Sequence, residues 1–378
     1  MLEKRRCRCA TCVGIVCLII VVITNLFLIR PKFTANRLPE IEENGPNQER
    51  IWEQRLMRLK QATGSQEAEP DLSKAELLLQ GSTCTPNKAR NRLFNLFGDT
   101  KFDLSMSIFL DEHNKNSEEN LRYPPPFGME GAEPWLDSVL KLLPESGLPY
   151  HIAKKSCRRC IVVGNGGILS KKNLGEVIDN YDVVIRMNDA PIGKFKSDVG
   201  SKTTFRFMYP EGTYKDPKLF HSNSTVVFMT FKPKDLEWLQ SVLTNVKLKS
   251  TKEFWKKIPT SLPKKPSQCR LFNPSILQEL AFDILKLPIN KGIMKKNVPT
   301  TGALAIMFSA RFCDEIAVAG FGYNLKDPNA KLHYYDNNKM KVITKSWTHN
   351  ISDERKFLMA LAQFGVIHDL TGGLLQGG

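Results

Sequence analysis

Two short clusters near the carboxyl end of the chain carry side chains suited to acid–base work. One reads His333-Tyr334-Tyr335-Asp336, the other His349-Asn350-Ile351-Ser352-Asp353-Glu354. The chain holds only six histidines, and these two flank a single connecting segment. A neutral imidazole accepts a hydroxyl proton near neutral pH, and a charged one neutralises a departing phosphate. Each histidine taken alone is more often a structural hydrogen-bonder than a catalyst. Ser352 reads as the cap of a helix running to about Gln363, which sets His349 just ahead of that helix.

Two further segments have the form of anion sites. Ile161-Val162-Val163-Gly164 is an apolar run suited to a buried parallel strand. Asn165-Gly166-Gly167 follows, then a helix capped by Ser170 with Leu174, Val177 and Ile178 inward, then a second strand over Asp182–Asn188. This is the size of a nucleotide-binding strand–helix–strand unit, in which glycines let a ligand approach the backbone. Leu169 stands where the dinucleotide fingerprint needs its third glycine, which disfavours NAD. Asn165 and Asn188 each end a strand, where ligand residues gather in open α/β sheets. Either also reads as a turn-stabilising Asn. In the second segment Thr300, Thr301 and Gly302 open a helix over Ala303–Phe312, followed by a strand in Glu315–Gly322. Backbone amides at that helix start favour an anion, and plain capping by Thr is the alternative.

One absence matters. No two aspartates sit two positions apart, so the Asp-x-Asp clamp that many sugar-nucleotide transferases use for a metal is missing. A diphosphate leaving group recruits a divalent cation, whereas a donor with one phosphate can rely on His, Tyr and backbone amides.

The elements around these clusters follow from the rest of the 378 residues, 42% hydrophobic and 25% charged. That is ordinary globular composition, not collagen, a disordered tail or a disulfide knot. The formal net charge of +15 suits anionic partners without choosing among them. Cys12–Ile29 is an uncharged run near the lower limit for spanning ~30 Å of hydrocarbon, preceded by Lys4, Arg5, Arg6 and Arg8. It reads as a type II anchor, with a cleaved signal peptide as the alternative. The remaining chain is then lumenal, which argues against nucleic acid as a partner. The layout is a cytoplasmic tail (1–11), an anchor (12–29), a polar stem (30–83) and an α/β catalytic domain (84–378). Pro124–Gly128 forms a rigid turn before a helix around Trp135–Leu143. Of the five lumenal cysteines, Cys84, Cys157, Cys160, Cys269 and Cys313, an oxidising lumen pairs four. Cys157 and Cys160 read alternatively as half a zinc site, but no second such pair exists. Asn223 and Asn350 head glycosylation sequons, and Asn223 is the candidate.

These residues match a known family. Cys157–Gly212 (CRRCIVVGNGGILSKKNLGEVIDNYDVVIRMNDAPIGKF…VGSKTTFRFMYPEG) resembles the large sialylmotif of animal sialyltransferases, and Pro299–Tyr323 the small one. HYYD at His333–Asp336 resembles the third motif, and HNISDE at His349–Glu354 the very small one. All four stand in the family's order, and the likeness runs from about Cys84 to Leu370. The form resembles the β-galactoside α-2,3 branch, nearest its N-acetyllactosaminide members, with the lactosylceramide members close by.

The resemblance implies a glycosyltransferase A-like α/β fold, a Rossmann-type central sheet flanked by helices, preceded here by one transmembrane helix. It implies CMP-sialic acid as donor, galactose-terminated glycans as acceptors, no metal or other cofactor, and inversion at the anomeric carbon. Asn165, Asn188, Thr300, Thr301 and Gly302 then contact the CMP part. His333 stabilises the departing phosphate, His349 takes the proton of the galactose 3-OH, and Glu354 supports the site. The same likeness pairs Cys160 with Cys313 and Cys84 with Cys157, and leaves Cys269 free. It implies a single-pass protein of the Golgi membrane with a lumenal catalytic domain. Competing readings are transfer to lactosylceramide, a non-catalytic CMP-sugar-binding or lectin-like protein, and a nucleotide-dependent oxidoreductase.

Overall fold

The computed structural model of the chain describes residues 84–97, 102–144, 147–289 and 297–375. Its centre is an eight-stranded sheet in the order β1-β6-β5-β4-β3-β2-β7-β8. The strands are β1 (Phe109–Leu110), β2 (Arg159–Val163), β3 (Val183–Met187), β4 (Phe205–Met208), β5 (Thr225–Phe228), β6 (Cys269–Phe272), β7 (Glu315–Ala319) and β8 (Ile367–Asp369). Edge strand β1 runs antiparallel to β6, and every other pair is parallel. The apolar runs of β2, β3 and β7 are buried along nearly their whole length, as strands covered on both faces must be.

The helices of eight residues or more among the described residues are α1 (Lys88–Phe97), α2 (Glu133–Leu140), α3 (Pro233–Thr244), α4 (Thr301–Ser309) and α5 (Ile351–Gln363). Helix α4 is apolar all round and buried from Ala303 to Ser309, so it is a core helix rather than a surface one. Its Phe308 ring meets Phe109, Phe205, Phe207 and Phe312 at centroid distances of 5.0 to 5.6 Å.

The chain steps from β2 outward through β3 to β6, then returns to lay β7 and β8 along the other side of β2. The winding therefore reverses between β2 and β7, the place where open α/β sheets commonly set a ligand crevice beyond the carboxyl ends of their strands. Cys160 in β2 is bonded to Cys313 just before β7, and Cys84 to Cys157. With a sequence separation of 153 residues, the first bond removes ~5 kcal/mol of loop entropy from the unfolded chain in the chain-entropy picture. Cys269 is free and buried in β6.

Three local expectations need correction. Ser170 caps no helix. A three-residue turn of 3-10 helix, Gly167–Leu169, is followed by a loop and then by the five-residue helix Gly175–Asp179, entered from Leu174. Lys171 and Asn173 take positive φ (64° and 52°), and their amides donate to the Asp198 carboxylate at 2.9 Å, which holds the loop out of helical form. Asn350, not Ser352, caps α5: its Oδ1 accepts the Asp353 N–H at 3.3 Å, and buried Ile351 is the first helical residue. The strand expected to reach Gly322 stops at Ala319, because Gly320 turns to φ 78°. Among the described residues no helix is long and apolar enough to cross a membrane, and Cys12–Ile29 and the stem lie outside them.

Candidate active site

The loops after β2 and β7 approach each other backbone to backbone. The Gly164 and Gly166 amides donate to the Ala319 and Gly320 carbonyls at 2.7 and 3.0 Å. A Cβ on Gly164 or Gly166 would lie 2.4 or 2.5 Å from the Gly320 oxygen, and one on Gly167 2.5 Å from the Lys331 oxygen. The glycines assigned above to a ligand thus first serve the meeting of two protein loops. Asn165 is left at the crevice, its carbonyl accepting the Tyr334 N–H at 3.0 Å.

Asn188 directly follows β3, the strand that neighbours β2. Asn188 takes φ 53°, a conformation asparagine tolerates better than most residues. Its amide donates to the Phe207 carbonyl at 2.8 Å, while its side-chain oxygen is buried with no partner. Buried acceptors without a partner are rare in folded proteins, and this one stands directly after a strand. Beneath it lie two buried guanidiniums bonded to carbonyls: Arg186 to Lys202 and Val199 at 3.0 and 2.7 Å, and Arg206 to Asn188 at 2.8 Å. Burial, with Arg206 close by, pushes Arg186 down to about 10, and burial lowers Arg206 as well.

Helix α4 opens on the other side of the crevice. Thr300 is its cap, its hydroxyl accepting the Ala303 N–H at 3.3 Å. The carboxylate of buried Glu354, in the first turn of α5, takes both Thr300 donors, N–H at 2.7 Å and O–H at 2.6 Å. Burial pushes Glu354 above its ordinary value, against the pull of the Thr300 bonds and of His349. Thr301 and Gly302 are half-buried beside them. A Cβ on Gly302 would be 2.9 Å from the Phe321 ring, and the same ring closes on Gly164, so one side chain spans both loops. Burial and the Glu354 charge also raise Tyr323, just after β7.

His349 is half-buried ahead of α5, with Nδ1 2.7 Å from the Val298 carbonyl oxygen. A carbonyl only accepts, so Nδ1 carries the proton, and the neutral ring keeps its lone pair on Nε2. The backbone there is fixed, since the Val298 amide donates to the Thr348 carbonyl at 3.3 Å and the His349 amide to Ser346 Oγ at 3.2 Å. His333 pairs across the β2 loop with Gly166 in an isolated bridge. Its Nδ1 is 2.8 Å from the Asp336 carboxylate, and its ring stacks on Tyr335 at 5.1 Å. When that ring is charged, Asp336 balances it and Nε2–H is left to donate. Burial pushes Asp336 up, but the bonds from His333 and Asn338 win and hold it below its ordinary value.

The sequence candidates therefore form two groups that the Phe321 ring joins through Gly164 and Gly302: Asn165, Asn188 and His333 by the ends of β2 and β3, and Thr300, Thr301, Gly302, His349 and Glu354 around the start of α4. Sequence reasoning missed Asp336, Tyr323 and Tyr209 as members of these groups. Tyr209 is pushed up to about 12 by burial and by Glu211 and Asp189, and a Cβ on Gly212 would meet both its ring and the Asn188 oxygen, at 2.7 and 2.9 Å. It stood within the quoted large motif, but nothing in its spacing marked it. Asn223 is exposed in a turn, whereas Asn350 is occupied with Asp353.

The profile of glycosyltransferase family 29 (sialyltransferase) matches residues 109–366. A CMP-N-acetylneuraminate-β-1,4-galactoside α-2,3-sialyltransferase of Mus musculus is 41% identical over 292 residues, 77% of this chain and 78% of the relative. A lactosylceramide α-2,3-sialyltransferase of Pan troglodytes is 39% identical over 305 residues, 79% of this chain and 84% of the relative. A crystal structure of a mammalian sialyltransferase superposes with a TM-score of 0.62 at 28% identity, covering 76% of this chain and 98% of that one.

Proposed function

Because the chain belongs to glycosyltransferase family 29, the sialyltransferases, we propose that it transfers sialic acid from CMP-sialic acid to the 3-OH of a terminal β-galactose. Both relatives named above are α-2,3 enzymes, which supports the linkage. N-acetyllactosamine-type glycans are the proposed acceptor, and lactosylceramide is the second reading supported by the likeness to its transferase. The proposed frame is the glycosyltransferase A-like, Rossmann-type α/β fold, carried in the Golgi lumen by an anchor at 12–29 and a stem at 30–83.

The observation that carries the reaction is the 2.7 Å contact of His349 Nδ1 with the Val298 carbonyl oxygen, which calls for a proton on Nδ1. Nε2 is then free to take the proton of the galactose 3-OH while that oxygen bonds to the anomeric carbon from the face opposite the phosphate. The bond to the phosphate oxygen breaks, CMP departs with the electron pair, and the configuration inverts. The transition state resembles an oxocarbenium ion, so alignment and proton removal suffice. His333, balanced by Asp336, and the Thr301 and Gly302 amides in the first turn of α4 receive the leaving charge. Asn165 and Asn188 hold the CMP part above the two buried arginines. No step in this scheme is given to a metal.

Asn188→Ala is expected to weaken CMP binding roughly tenfold, the worth of one lost hydrogen bond at a partly buried site, as read by calorimetry. Unchanged affinity would remove Asn188 from the donor site. The activity test uses the detergent-solubilised full chain with CMP-sialic acid and a chelator, offering N-acetyllactosamine and lactosylceramide in parallel. The expected product is cleaved by an α-2,3-specific sialidase, and the faster acceptor decides between the two readings. CMP binding with no transfer to either would replace this proposal with a lectin-like one.

A further inference from the structure

Trp255 is 70% exposed, while both of its neighbours make contacts of their own. Phe254 is buried in the cluster formed with α2 and α3, and the Lys232 ammonium lies 4.6 Å from its ring centre. Lys232 in turn binds Glu211 at 2.9 Å and Asp235 at 2.8 Å. Glu211 belongs to the turn Pro210–Gly212 after β4, and a Cβ on Gly212 would meet the unpartnered Asn188 oxygen at 2.9 Å. On the other side, Lys256 sits 5.1 Å from the indole centre and reaches the Asp189 carboxylate at 3.9 Å. The tryptophan is thus fastened, through its two neighbours, to the loops that follow β3 and β4.

A lone exposed apolar side chain is ordinary on a protein surface and needs no account. This one differs because its neighbours tie it to the loops that carry Asn188 and Asp189. Lys256 takes one region of the ring, and most of the indole remains open. Aromatic faces beside a few placed polar groups are the usual lining of small-molecule sites. The anion-binding groups lie deeper, at the strand ends and at the start of α4. A donor seated on them leaves the exposed indole to the second substrate, which an inverting attack brings in from the face away from the phosphate.

We propose that Trp255 is a platform for the acceptor, stacking against the apolar C–H face of one of its pyranose rings, with Phe254 and Lys256 as positioning residues that hold it there. The inference rests on the transferase reading above and assigns that reading's acceptor side. Because the side chain is exposed, Trp255→Ala keeps the fold, and Trp255→Phe restores a smaller aromatic face.

The experiment uses the full chain in detergent. It measures the KM for N-acetyllactosamine, the affinity for CMP by calorimetry, and N-acetyllactosamine binding to the CMP complex by saturation-transfer NMR. Trp255→Ala is expected to raise the acceptor KM roughly tenfold and to lose the NMR signal, with CMP affinity unchanged, while Trp255→Phe stays within about threefold of wild type. An unchanged acceptor KM and NMR signal in Trp255→Ala would overturn the platform. So would an equal fall in CMP affinity, which would turn the indole toward the donor. Wild-type protein that binds N-acetyllactosamine through Trp255 but transfers nothing to it would refute the transferase reading and leave the platform standing.

Discussion

Replacing His349 with Ala is expected to slow sialic acid transfer by ~10²–10⁴-fold, the usual contribution of a positioned general base, while CMP binds as in wild type. The ring is half-buried and makes one side-chain hydrogen bond, to the Val298 carbonyl. Its loss costs about 1 kcal/mol of stability, too little to unfold a domain of this size. Asn at this position sharpens the test. Its amide N–H₂ can still donate to Val298, but it offers no nitrogen lone pair to a hydroxyl. If His349 only fastens the segment ahead of α5, His349→Asn should retain most activity. If Nε2 accepts the proton, Asn should be as slow as Ala in single-turnover transfer. A fast His349→Asn enzyme would move the base elsewhere.

Which parts of this site could be read from sequence follows from what each part is made of. The strands β2, β3 and β7 were legible because a buried parallel strand must be an apolar run, and theirs are bounded by glycine or asparagine. The cap at Thr300 was legible because a hydroxyl before an apolar helix has one obvious use. The helix expected after Ser170 failed because its breaker is remote: the Asp198 carboxylate holds Lys171 and Asn173 from 27 and 25 residues away. Ser352 lost the cap to Asn350 by two positions, a choice decided by the burial of Ile351. The glycines after β2 were visible, but not that Gly320 and Lys331 carbonyls occupy the space they leave. The group that fixes the His349 tautomer is the carbonyl of Val298. A backbone oxygen has no sequence signature at all, so the orientation of the candidate base could come only from coordinates. Asp336 lay in plain sight in the HYYD cluster, yet its bond to His333 depends on the turn between them.

A comparable loss is expected at Glu354, reached by another route. Its carboxylate is 2% exposed and joins the first turn of α5 to the cap of α4 through both Thr300 donors. Glu354→Ala strands those donors and leaves a cavity, costing on the order of 3 kcal/mol in thermal or urea unfolding. It also loosens the segment from Val298 to Thr300, which aims His349. A shift of about 1 Å there can cost ~10²-fold in rate. Gln fits the same space: its oxygen can accept the Thr300 N–H, and its amide can donate to the hydroxyl. Glu354→Gln should therefore stay within about 1 kcal/mol of wild type and keep most of its activity, if the residue positions rather than exchanges protons. The pH dependence separates the two variants further. Burial raises the Glu354 carboxyl above its ordinary value, so between its unfolded and folded values the folded protein binds more protons than the unfolded chain. The stability linked to this group is complete below the unfolded value and is lost as pH rises through the folded one. Wild type should then lose stability relative to Glu354→Gln as pH rises from the acid side toward neutral. An inactive but fully stable Glu354→Gln protein would make Glu354 a proton-transfer group and end the positioning assignment. A stable and active Glu354→Ala protein would show that the link between α4 and α5 has no part in aiming His349.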